Sequence, residues 1–367
     1  MSNEYFDEST VVETLKETDK KCPNCDGVMS FDPKTGGLLC PYCGHKEEVV
    51  EEVEVKLAEE QDFSKIEDEN SGNCNWGVEK KTILCKFCGG EAIYDALQTS
   101  GECPFCGSNQ VMEAAAKNTL APNGVIPFKI EKKSCGERFS SWLKGKLFCP
   151  NEAKKNAKPE AFNGVYLPYW TFDSDTFSQY TAEYGIRRTV RSSNGNTTTV
   201  TDWYRTAGTH KQFINDQLVI GTDRHQEYYI RKIEPFDTSN SIEYKPEYVA
   251  GFVSERYSVG PKSAWEKAKE YIRTKLRSAI RSKVKAENHA DDVRSLNMKT
   301  TFDNVTYKYL MLPVWISSFK YNGKVYQFYV NGQTGKVGGK SPISPYKVAI
   351  AIILGIALLT LISVLCN

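Results

Sequence analysis

The sequence lacks the strings that mark the commonest catalytic and nucleotide-binding sites. It contains no H-E-x-x-H, G-x-S-x-G or G-x-G-x-x-G pattern, and its four histidines are dispersed along the chain. The nearest match to a phosphate-binding loop is Gly339-Lys340-Ser341, but Thr334 stands where the loop needs its first glycine, and Pro342 would interrupt the following helix. We therefore reject nucleotide hydrolysis and expect a protein that is not an enzyme.

A net charge of either sign is also missing. With 47 Lys and Arg against 46 Asp and Glu, the formal net charge is +1, so bulk charge favours no class of partner. The charge is nevertheless uneven, because the stretch from Lys46 to Asn70 is strongly acidic and the stretch from Lys262 to Lys285 is strongly basic. Such asymmetry is typical of a face for nucleic acid or lipid, and equally of two solvated surfaces.

The N-terminus has no apolar leader. Residues Met1 to Thr10 are polar and acidic, so we expect no secretory signal. A chain that stays inside the cell keeps its cysteines reduced, which favours metal thiolates over disulfides.

Eight of the twelve cysteines form four C-x-x-C pairs with matched spacing. Fourteen residues separate the two pairs of each unit, and the repeat of this spacing predicts an internal duplication. Two such pairs supply four thiolates to a structural zinc ion and leave no position for a catalytic water. We predict two zinc ribbons, with the ligands Cys22, Cys25, Cys40 and Cys43 in the first and Cys85, Cys88, Cys103 and Cys106 in the second.

Two other interpretations of these pairs need consideration. A redox C-x-x-C belongs to a thioredoxin-like βαβ unit, which the surrounding sequence does not predict. Iron in a rubredoxin-like site would use the same four thiolates, so the spacing alone leaves zinc and iron as alternatives. The other cysteines have no paired spacing, and we assign no role to Cys74, Cys135, Cys149 and Cys366.

Residues 112–340 are rich in Tyr, Phe, Trp, Thr and Val and contain recurrent turn signals, which is typical of strands. Asn322-Gly323 separates two aromatic runs and predicts a two-residue hairpin turn, and residues 193–196 predict another hairpin. Helices are predicted to begin at Ser134 and Ser263, each with a glutamate three residues later in the pattern of a capping box.

The two predicted helices share their sequence surroundings. A strand-like run precedes each helix, and a run rich in Leu, Pro and aromatic residues follows it. When the two serines are aligned, the apolar stripes of the helices also align and end at Leu147 and Leu276. We interpret this pattern as a duplicated strand–helix–strand unit. The proline in each following strand, Pro168 or Pro313, favours an edge position or a bulge.

The C-terminal segment from Val348 to Leu365 has no charge and is almost wholly aliphatic. As a helix it would be roughly 27 Å long, close to the hydrocarbon thickness of a bilayer. We predict one transmembrane helix over 348–366 that anchors the chain by its tail in the cell membrane. Lysines precede this segment and no charge follows it, which predicts that the N-terminal domains are cytoplasmic.

These elements predict a multidomain chain with two small β zinc ribbons, an α+β domain built from the duplicated unit, and one C-terminal transmembrane helix. The predicted order is a mobile N-terminus (1–19), zinc ribbon 1 (20–46), an acidic linker (47–79), zinc ribbon 2 (80–111), the α+β domain (112–340), a linker (341–347) and the transmembrane helix (348–366).

Several strings of the chain are shared with a known family, namely both cysteine ribbons, Ile126-Pro127-Phe128, Gly164–Trp170 and Val330–Val337. On these strings the chain resembles bacterial membrane-associated proteins with a zinc ribbon of the transcription-factor-IIB type, which are often described as related to a replication-restart helicase, primosomal protein N′. The resemblance covers most of the chain from Cys22 onward. It implies zinc binding and membrane attachment, but not helicase activity, since no helicase core fits in the chain.

We expect a non-enzymatic adaptor that presents a protein-binding surface at the cytoplasmic face of the membrane. The alternative is membrane-tethered nucleic-acid binding, in transcription or replication, by the ribbons and the basic helix 263–286. The cations of that helix would equally suit anionic lipid. An enzyme with its site in the aromatic-rich domain is a third alternative.

Overall fold

The computed structural model describes residues 21–49, 56–66, 80–85, 91–95, 111–114, 120–156, 162–191, 197–322 and 324–365. Within them the chain is multidomain. A small sheet lies beside the first cysteine cluster, a large sheet with helices forms the α+β region, and an apolar helix lies at the C-terminal end.

The bounds of the regular elements are as follows. The strands are β1 (Ser30–Asp32), β2 (Gly37–Leu39), β3 (Lys46–Glu47), β4 (Gln61–Asp62), β5 (Lys80–Cys85), β6 (Glu91–Asp95), β7 (Val111–Ala114), β8 (Gly124–Val125), β9 (Asn163–Arg191), β10 (Thr197–Ile220), β11 (Ile242–Glu243), β12 (Val253–Glu255), β13 (Asp292–Tyr321), β14 (Lys324–Asn331) and β15 (Val337–Gly339). The helices are α1 (Lys132–Lys144), α2 (Asn151–Asn156), α3 (Glu227–Ile230), α4 (Pro261–Glu287) and α5 (Pro345–Leu365).

The long strands β9 and β13 run antiparallel at the centre of the large sheet. Their register extends from Asn163 opposite Ile316 to Gly185 opposite Asp292, with two irregularities. Strand β10 pairs with the other edge of β9, and β14 pairs with the other edge of β13.

Both hairpins predicted from turn residues are confirmed by strand pairing. Tyr321 at the end of β13 pairs with Lys324 at the start of β14, and Asn322 between them has the positive φ of 48° that such a turn requires. Arg191 of β9 likewise pairs with Thr197 of β10.

Helix α4 covers one face of the large sheet. Its apolar stripe is buried along its whole length, as the helical periodicity of the sequence predicts. The rings of Trp265 and Phe172 lie 5.2 Å apart, centroid to centroid. Further along the helix, Ile280 and Val284 pack in one cluster with Tyr180 of β9. The helix therefore joins the core to the outer part of the long strands.

Both helices begin earlier than predicted, and the capping-box interpretation is wrong. Helix α1 begins after Glu131 and α4 after Gly260, and neither of these residues caps its helix with a side chain. Proline at the first helical position needs no backbone N–H, and its fixed φ suits the helix. Pro261 therefore starts α4 without a serine cap, and the basic helix predicted at 263–286 extends from Pro261 to Glu287.

Pro168 and Pro313 lie in the two central strands, so the predicted edge position or bulge is wrong. On the outer side of β9, strand β12 pairs with Val165 and Tyr166, whereas β10 pairs only from Tyr169 onward. Pro168 lies between these two partners, where no neighbouring strand needs the N–H that proline lacks. Pro313 occupies the corresponding place in β13, between the partners β8 and β14.

The two strand–helix–strand segments make reciprocal hydrogen bonds. The indole Nε1 of Trp170 donates to the carbonyl of Val259, just before α4, over 2.9 Å. The indole Nε1 of Trp315 donates to the carbonyl of Ile130, just before α1, over the same distance. Each segment thus binds the loop that leads into the helix of the other.

The main-chain pairing around these indoles repeats in the same way. Strand β8 pairs in parallel with β13, and β12 pairs in parallel with β9. The amide of Gly221 donates to the carbonyl of Pro168, and the amide of Gly332 donates to that of Pro313, each over 2.8 Å. A Cβ atom at Gly332 would lie 2.6 Å from the ring of Phe128, so this close approach needs glycine.

Residues 56–66, which fall within the predicted acidic linker, belong to the α+β region. Strand β4 pairs with β13, and the amide of Ala58 donates to the carbonyl of Ser241. The ring of Phe63 lies 5.8 Å from those of Phe172 and Trp265. The acidic stretch therefore contributes a short strand to the large sheet and an aromatic side chain that packs against the core.

Of the second predicted ribbon, the structure describes the strand residues 80–85, 91–95 and 111–114. Strand β5 pairs with β6 and β7, and β6 pairs with β12, so this three-stranded unit continues the large sheet. The side chain of Cys85 and the whole of Cys88, Cys103 and Cys106 lie outside the described residues. The second metal site stays a prediction.

Helix α5 is the one helix of the described residues that is long and apolar enough to cross a membrane. Its candidate span, Pro345–Val364, has a mean hydropathy of 2.5, and none of it is buried. The helix begins at Pro345, slightly before the predicted segment 348–366. A helix that is apolar on every face and buried on none suits a hydrocarbon environment.

Candidate metal centre

The four cysteine thiols of the first predicted ribbon converge on one point. All four sulfur atoms lie within 4.8 Å of one another. The Sγ atoms of Cys22 and Cys43 are 3.3 Å apart, and those of Cys25 and Cys40 are 3.5 Å apart. Sulfurs bound to a tetrahedral zinc ion at about 2.3 Å are themselves about 3.8 Å apart. The cluster therefore has nearly the size of a zinc–thiolate shell and could hold a metal ion.

The two turns that carry these thiols have the same backbone geometry. The amide of Asp26 donates to the carbonyl of Cys22, and the amide of Gly44 donates to the carbonyl of Cys40. Asp26 and Gly44 both have a positive φ, of 58° and 76°. In the second turn this position is a glycine, whereas in the first turn it is Asp26 and the glycine follows at Gly27. Aspartate is among the residues that tolerate the left-handed conformation.

The small sheet holds the two turns together and attaches them to the rest of the protein. Phe31 of β1 pairs with Leu38 of β2, and both side chains are buried. The ring of Phe31 packs edge-on against Tyr248, with centroids 6.0 Å apart, and its amide donates to the carbonyl of Ala250. The first ribbon is therefore packed against the α+β region.

The pKa values of two thiols in the cluster, Cys40 and Cys43, are shifted in opposite directions. Burial opposes ionisation of Cys40, but the amides of Cys43 and Tyr42 donate to its sulfur and lower its pKa to about 6. At Cys43 the amide of His45 favours the thiolate, but hydrogen bonds with Cys22 and the other thiols raise the pKa to about 12. The thiol of Cys40 therefore ionises readily, whereas that of Cys43 resists ionisation. A bound metal cation would favour the thiolate form of all four cysteines, as it does in metal sites.

Polar residues connect the two turns on the exposed side of the cluster. Nδ2 of Asn24 lies 3.2 Å from Nδ1 of His45, and Nε2 of His45 lies 3.7 Å from the carboxylate of Glu47. Tyr42, between the second pair of cysteines, is 77% exposed. His45 thus lies beside the four sulfurs and is not one of the converging groups.

The cations of α4 are largely used within the protein. Arg277 donates to the carbonyl of Leu296 over 2.9 Å, and Lys283 donates to the carbonyl of Thr209 over 2.7 Å. Ion pairs with nearby acidic side chains involve Lys267, Lys269, Arg273 and Lys285. Arg277, Lys283 and Lys285 thereby hold α4 on the long strands. The other pairs lie within α4 or join it to α3. Their spacing alone did not reveal this structural use of the basic residues.

A buried ionic cluster lies at the end of β12 and was not predicted from the sequence. The carboxylate of Glu255 is fully buried, 2.8 Å from Nε2 of His225 and 3.0 Å from the guanidinium of Arg224. The hydroxyl of Thr222 donates to the same carboxylate. Burial opposes the ionisation of Glu255, but His225, Thr222 and Arg224 together lower its pKa below the ordinary value. In the first strand–helix–strand segment the matching position is Ile126, because Val125 before it pairs with β13 as Ser254 before Glu255 pairs with β9.

Three carboxylates form a further group whose size would suit a cation. Oxygen atoms of Glu60, Asp173 and Asp216 lie within 4.8 Å of one another. The ammonium of Lys308 lies 2.5 Å from Glu60 and 2.9 Å from Asp216. Burial raises the pKa of Asp173 to about 6. Because a lysine already supplies the positive charge, we assign no metal to this group.

Comparison with known proteins finds a relative in Bacillus subtilis (strain 168), the uncharacterized protein YdjG. The two chains are 31% identical over 336 residues, which are 90% of this chain and 91% of the relative. No protein-family model matches the chain, and no solved structure matches it. At this identity and coverage, the chain belongs to the same family as YdjG.

Proposed function

We propose that the protein is a membrane-anchored, zinc-binding adaptor without enzymatic activity that binds a partner protein at the cytoplasmic face of the membrane. The converging thiols of the first ribbon support zinc binding, and the unburied apolar helix α5 supports the anchor. Four thiolates close the coordination shell, so the metal has a structural role. A second zinc ion in the second ribbon belongs to the same proposal, because the cysteine spacing repeats there.

The observation that carries protein binding is a groove between the first ribbon and the start of α1. Its volume is about 530 Å³, and Phe252 and Trp315 contribute apolar lining. Lys34, Glu131 and Lys133 contribute charges of both signs. An apolar groove with a polar rim suits a short segment of another protein. Because the first ribbon forms part of the groove, its metal would help to fix the shape of this surface.

We propose that helix α5 inserts into the membrane and anchors the chain there, with the preceding domains in the cytoplasm. Lys340 and Lys347 lie on the N-terminal side of the apolar span, which favours a cytoplasmic position for everything before it. A reducing compartment is also the one in which eight cysteines stay available to metal.

We also propose that the α+β region arose by duplication of a strand–helix–strand unit. The reciprocal bonds of Trp170 and Trp315 support this, because each indole binds the loop before the helix of the other segment. The matched bonds of Gly221 and Gly332 extend the similarity to the strand that follows. An adaptor with two related halves can use each half for a different contact.

Proximity labelling in cells tests the adaptor proposal. A labelling enzyme fused before Met1 of the full chain should mark a reproducible set of cytoplasmic proteins. Reversing two exposed rim charges, Lys34→Glu with Lys133→Glu, should remove part of that set. The matched control is Lys262→Glu, since Lys262 holds in α4 the place that Lys133 holds in α1, but lies away from the groove-lining residues.

Two outcomes would contradict the adaptor. If the labelled proteins are the same for the wild type and for both variants, the groove binds no partner. If ultraviolet cross-linking instead recovers DNA or RNA from the full chain, and Lys275→Glu with Arg281→Glu removes it, nucleic-acid binding by α4 is the better account.

A further inference from the structure

The turn between α1 and α2, residues 145–150, is fastened to the start of α5. The ammonium of Lys347 donates to the carbonyl of Cys149 over 2.8 Å and to Oδ1 of Asn151 over 2.9 Å. The amide of Ser344 donates to the carbonyl of Phe148 over 2.8 Å. These three hydrogen bonds place the turn at the end of α5 where the chain would enter a membrane.

This α1–α2 turn exposes large apolar side chains. Leu147 is 79% exposed and Phe148 is 42% exposed. At the start of α5, Ile343 and Tyr346 are 67% and 78% exposed. Single exposed apolar residues are ordinary, but a group beside an apolar helix marks a surface that another apolar phase can cover.

The position of Leu147 is unusual when the two halves of the α+β region are compared. The sequence predicts that Leu147 ends the apolar stripe of its helix as Leu276 does in α4. Leu276 is fully buried, whereas α1 stops at Lys144 and leaves Leu147 in solvent. The side chain therefore has no packing role in the described residues that would explain it.

Lysines surround these apolar side chains. Lys144 and Lys155 are exposed, and Lys146 and Lys154 are half-buried. Lys154 donates to the carbonyl of Lys144 over 2.9 Å and so holds α2 against the end of α1. Between Lys144 and Asn156 the sequence has one acidic residue, Glu152. The turn thus combines apolar side chains with a positive rim, as do segments that lie in the interface of an anionic membrane.

We infer that the α1–α2 turn is a second membrane contact, in which Leu147 and Phe148 enter the interface of the leaflet where α5 begins and the surrounding lysines bind anionic phospholipid headgroups. This inference rests on the proposed anchoring by α5. The turn and the anchor together would fix the orientation of the α+β region on the bilayer, because two separate contacts remove the rotation that one flexible attachment allows. The groove beside the start of α1 would then face a constant direction.

The test uses the full chain in lipid nanodiscs. A photoreactive benzoylphenylalanine replaces Leu147 in one sample and Tyr228 in a control, since Tyr228 is 66% exposed and lies in α3. Nanodiscs contain either phosphatidylcholine alone or a mixture with phosphatidylglycerol. After irradiation, mass spectrometry measures the fraction of each protein that carries a lipid adduct.

The expected result is abundant lipid adducts at position 147, several-fold more of them in the anionic nanodiscs, and none above background at position 228. Combining Lys144→Glu, Lys146→Glu and Lys155→Glu should reduce the adducts at position 147 to the level seen in neutral lipid. Circular dichroism of this variant checks that the fold is intact, since Lys146 is half-buried and its ammonium lies over the ring of Trp142.

The outcomes separate this inference from the anchor on which it depends. A chain that enters nanodiscs but forms no adduct at position 147, or equal amounts at 147 and 228, overturns the membrane contact of the turn and leaves the anchor standing. Adducts that do not respond to anionic lipid or to the lysine reversals overturn the role of the lysines. A full chain that never co-elutes with nanodiscs overturns both the anchor and the turn contact.

Discussion

The two strand–helix–strand segments of the α+β region share their main-chain bonds but differ in the side chains placed on them. At one matched position Ile126 is buried among apolar residues, whereas Glu255 binds charged partners. At another, Leu276 is buried and Leu147 is exposed. The shared bonds therefore define a framework, and the differing residues give each half its own contacts.

The lengths of the two helices show the same divergence. Helix α1 has 13 residues and ends where the turn next to α5 begins, whereas α4 has 27 residues and follows the long strands outward. One half thus lies next to the proposed membrane anchor, and the other stabilises the extended sheet. Substitutions at matched positions measure how far the two halves differ in stability.

The largest difference is expected between Glu255→Gln and Ile126→Val. The first removes the buried charge that faces His225 and Arg224, which should lower the free energy of unfolding by about 3–5 kcal/mol at neutral pH. The second deletes one methyl group and should cost about 1 kcal/mol. Urea unfolding of the detergent-solubilised chain, followed by tryptophan fluorescence, measures both.

The contribution of Glu255 should also depend on pH. Because its pKa is lowered in the folded state, its stabilisation is present above the ordinary carboxyl pKa and is lost as the pH falls through the folded value. Glu255→Gln should therefore lose most of its disadvantage in acid. If Glu255→Gln and Ile126→Val lower the free energy of unfolding equally, the ionic cluster stabilises the fold no more than one buried methyl group does.

A smaller and symmetric effect is expected for Trp170→Phe and Trp315→Phe. Each variant leaves one carbonyl, that of Val259 or Ile130, without its indole donor, at a cost of about 1–3 kcal/mol. Thermal unfolding in detergent should give similar shifts for the two variants, since the two bonds have the same length. A shift in only one of them would break the equivalence of the halves.

The smallest effect concerns Asp173, which lies three residues after Trp170. Ser318 holds the matching place in the second half, three residues after Trp315. Burial raises the pKa of Asp173 to about 6, so the folded protein binds this proton more tightly than the unfolded chain. Stability should therefore fall as the pH rises from the ordinary carboxyl range through about 6. The shift corresponds to at most about 3 kcal/mol, and solvent screening at this partly exposed carboxylate reduces the expected fall to about 1 kcal/mol. Asp173→Asn should abolish that fall and Ser318→Ala should keep it, as measured by urea unfolding across pH. If stability still falls over the same pH range in Asp173→Asn, a group other than Asp173 binds this proton.

Features that depend on neighbouring residues were predictable from the sequence. The spacing of Cys22, Cys25, Cys40 and Cys43 predicted a cluster that the structure brings together. The turn at Asn322 and the helical stripe of α4 were also confirmed. In each case the signal is a period or a turn preference, which a short stretch of sequence contains in full.

Features that depend on distant partners were not predictable. Glu255 is buried because Arg224 and His225 lie beside it, and nothing in the sequence near β12 shows that they do. Pro168 fits a central strand only because the neighbouring strand changes there. Phe63 lies in a stretch whose acidic composition predicted a linker, but one aromatic side chain and a two-residue strand bind that stretch to the core.

Zinc X-ray absorption on the full chain, purified from membranes under reducing conditions, measures whether cysteine-rich units hold structural zinc in a chain anchored to a membrane. We predict about two zinc ions per chain, each with about four sulfur ligands at about 2.3 Å. Cys40→Ser should lower the zinc content by about half, and Cys149→Ser, which changes a cysteine outside the cluster, should leave it unchanged. A reduced chain without zinc, or zinc bound mainly by nitrogen and oxygen, would contradict the account.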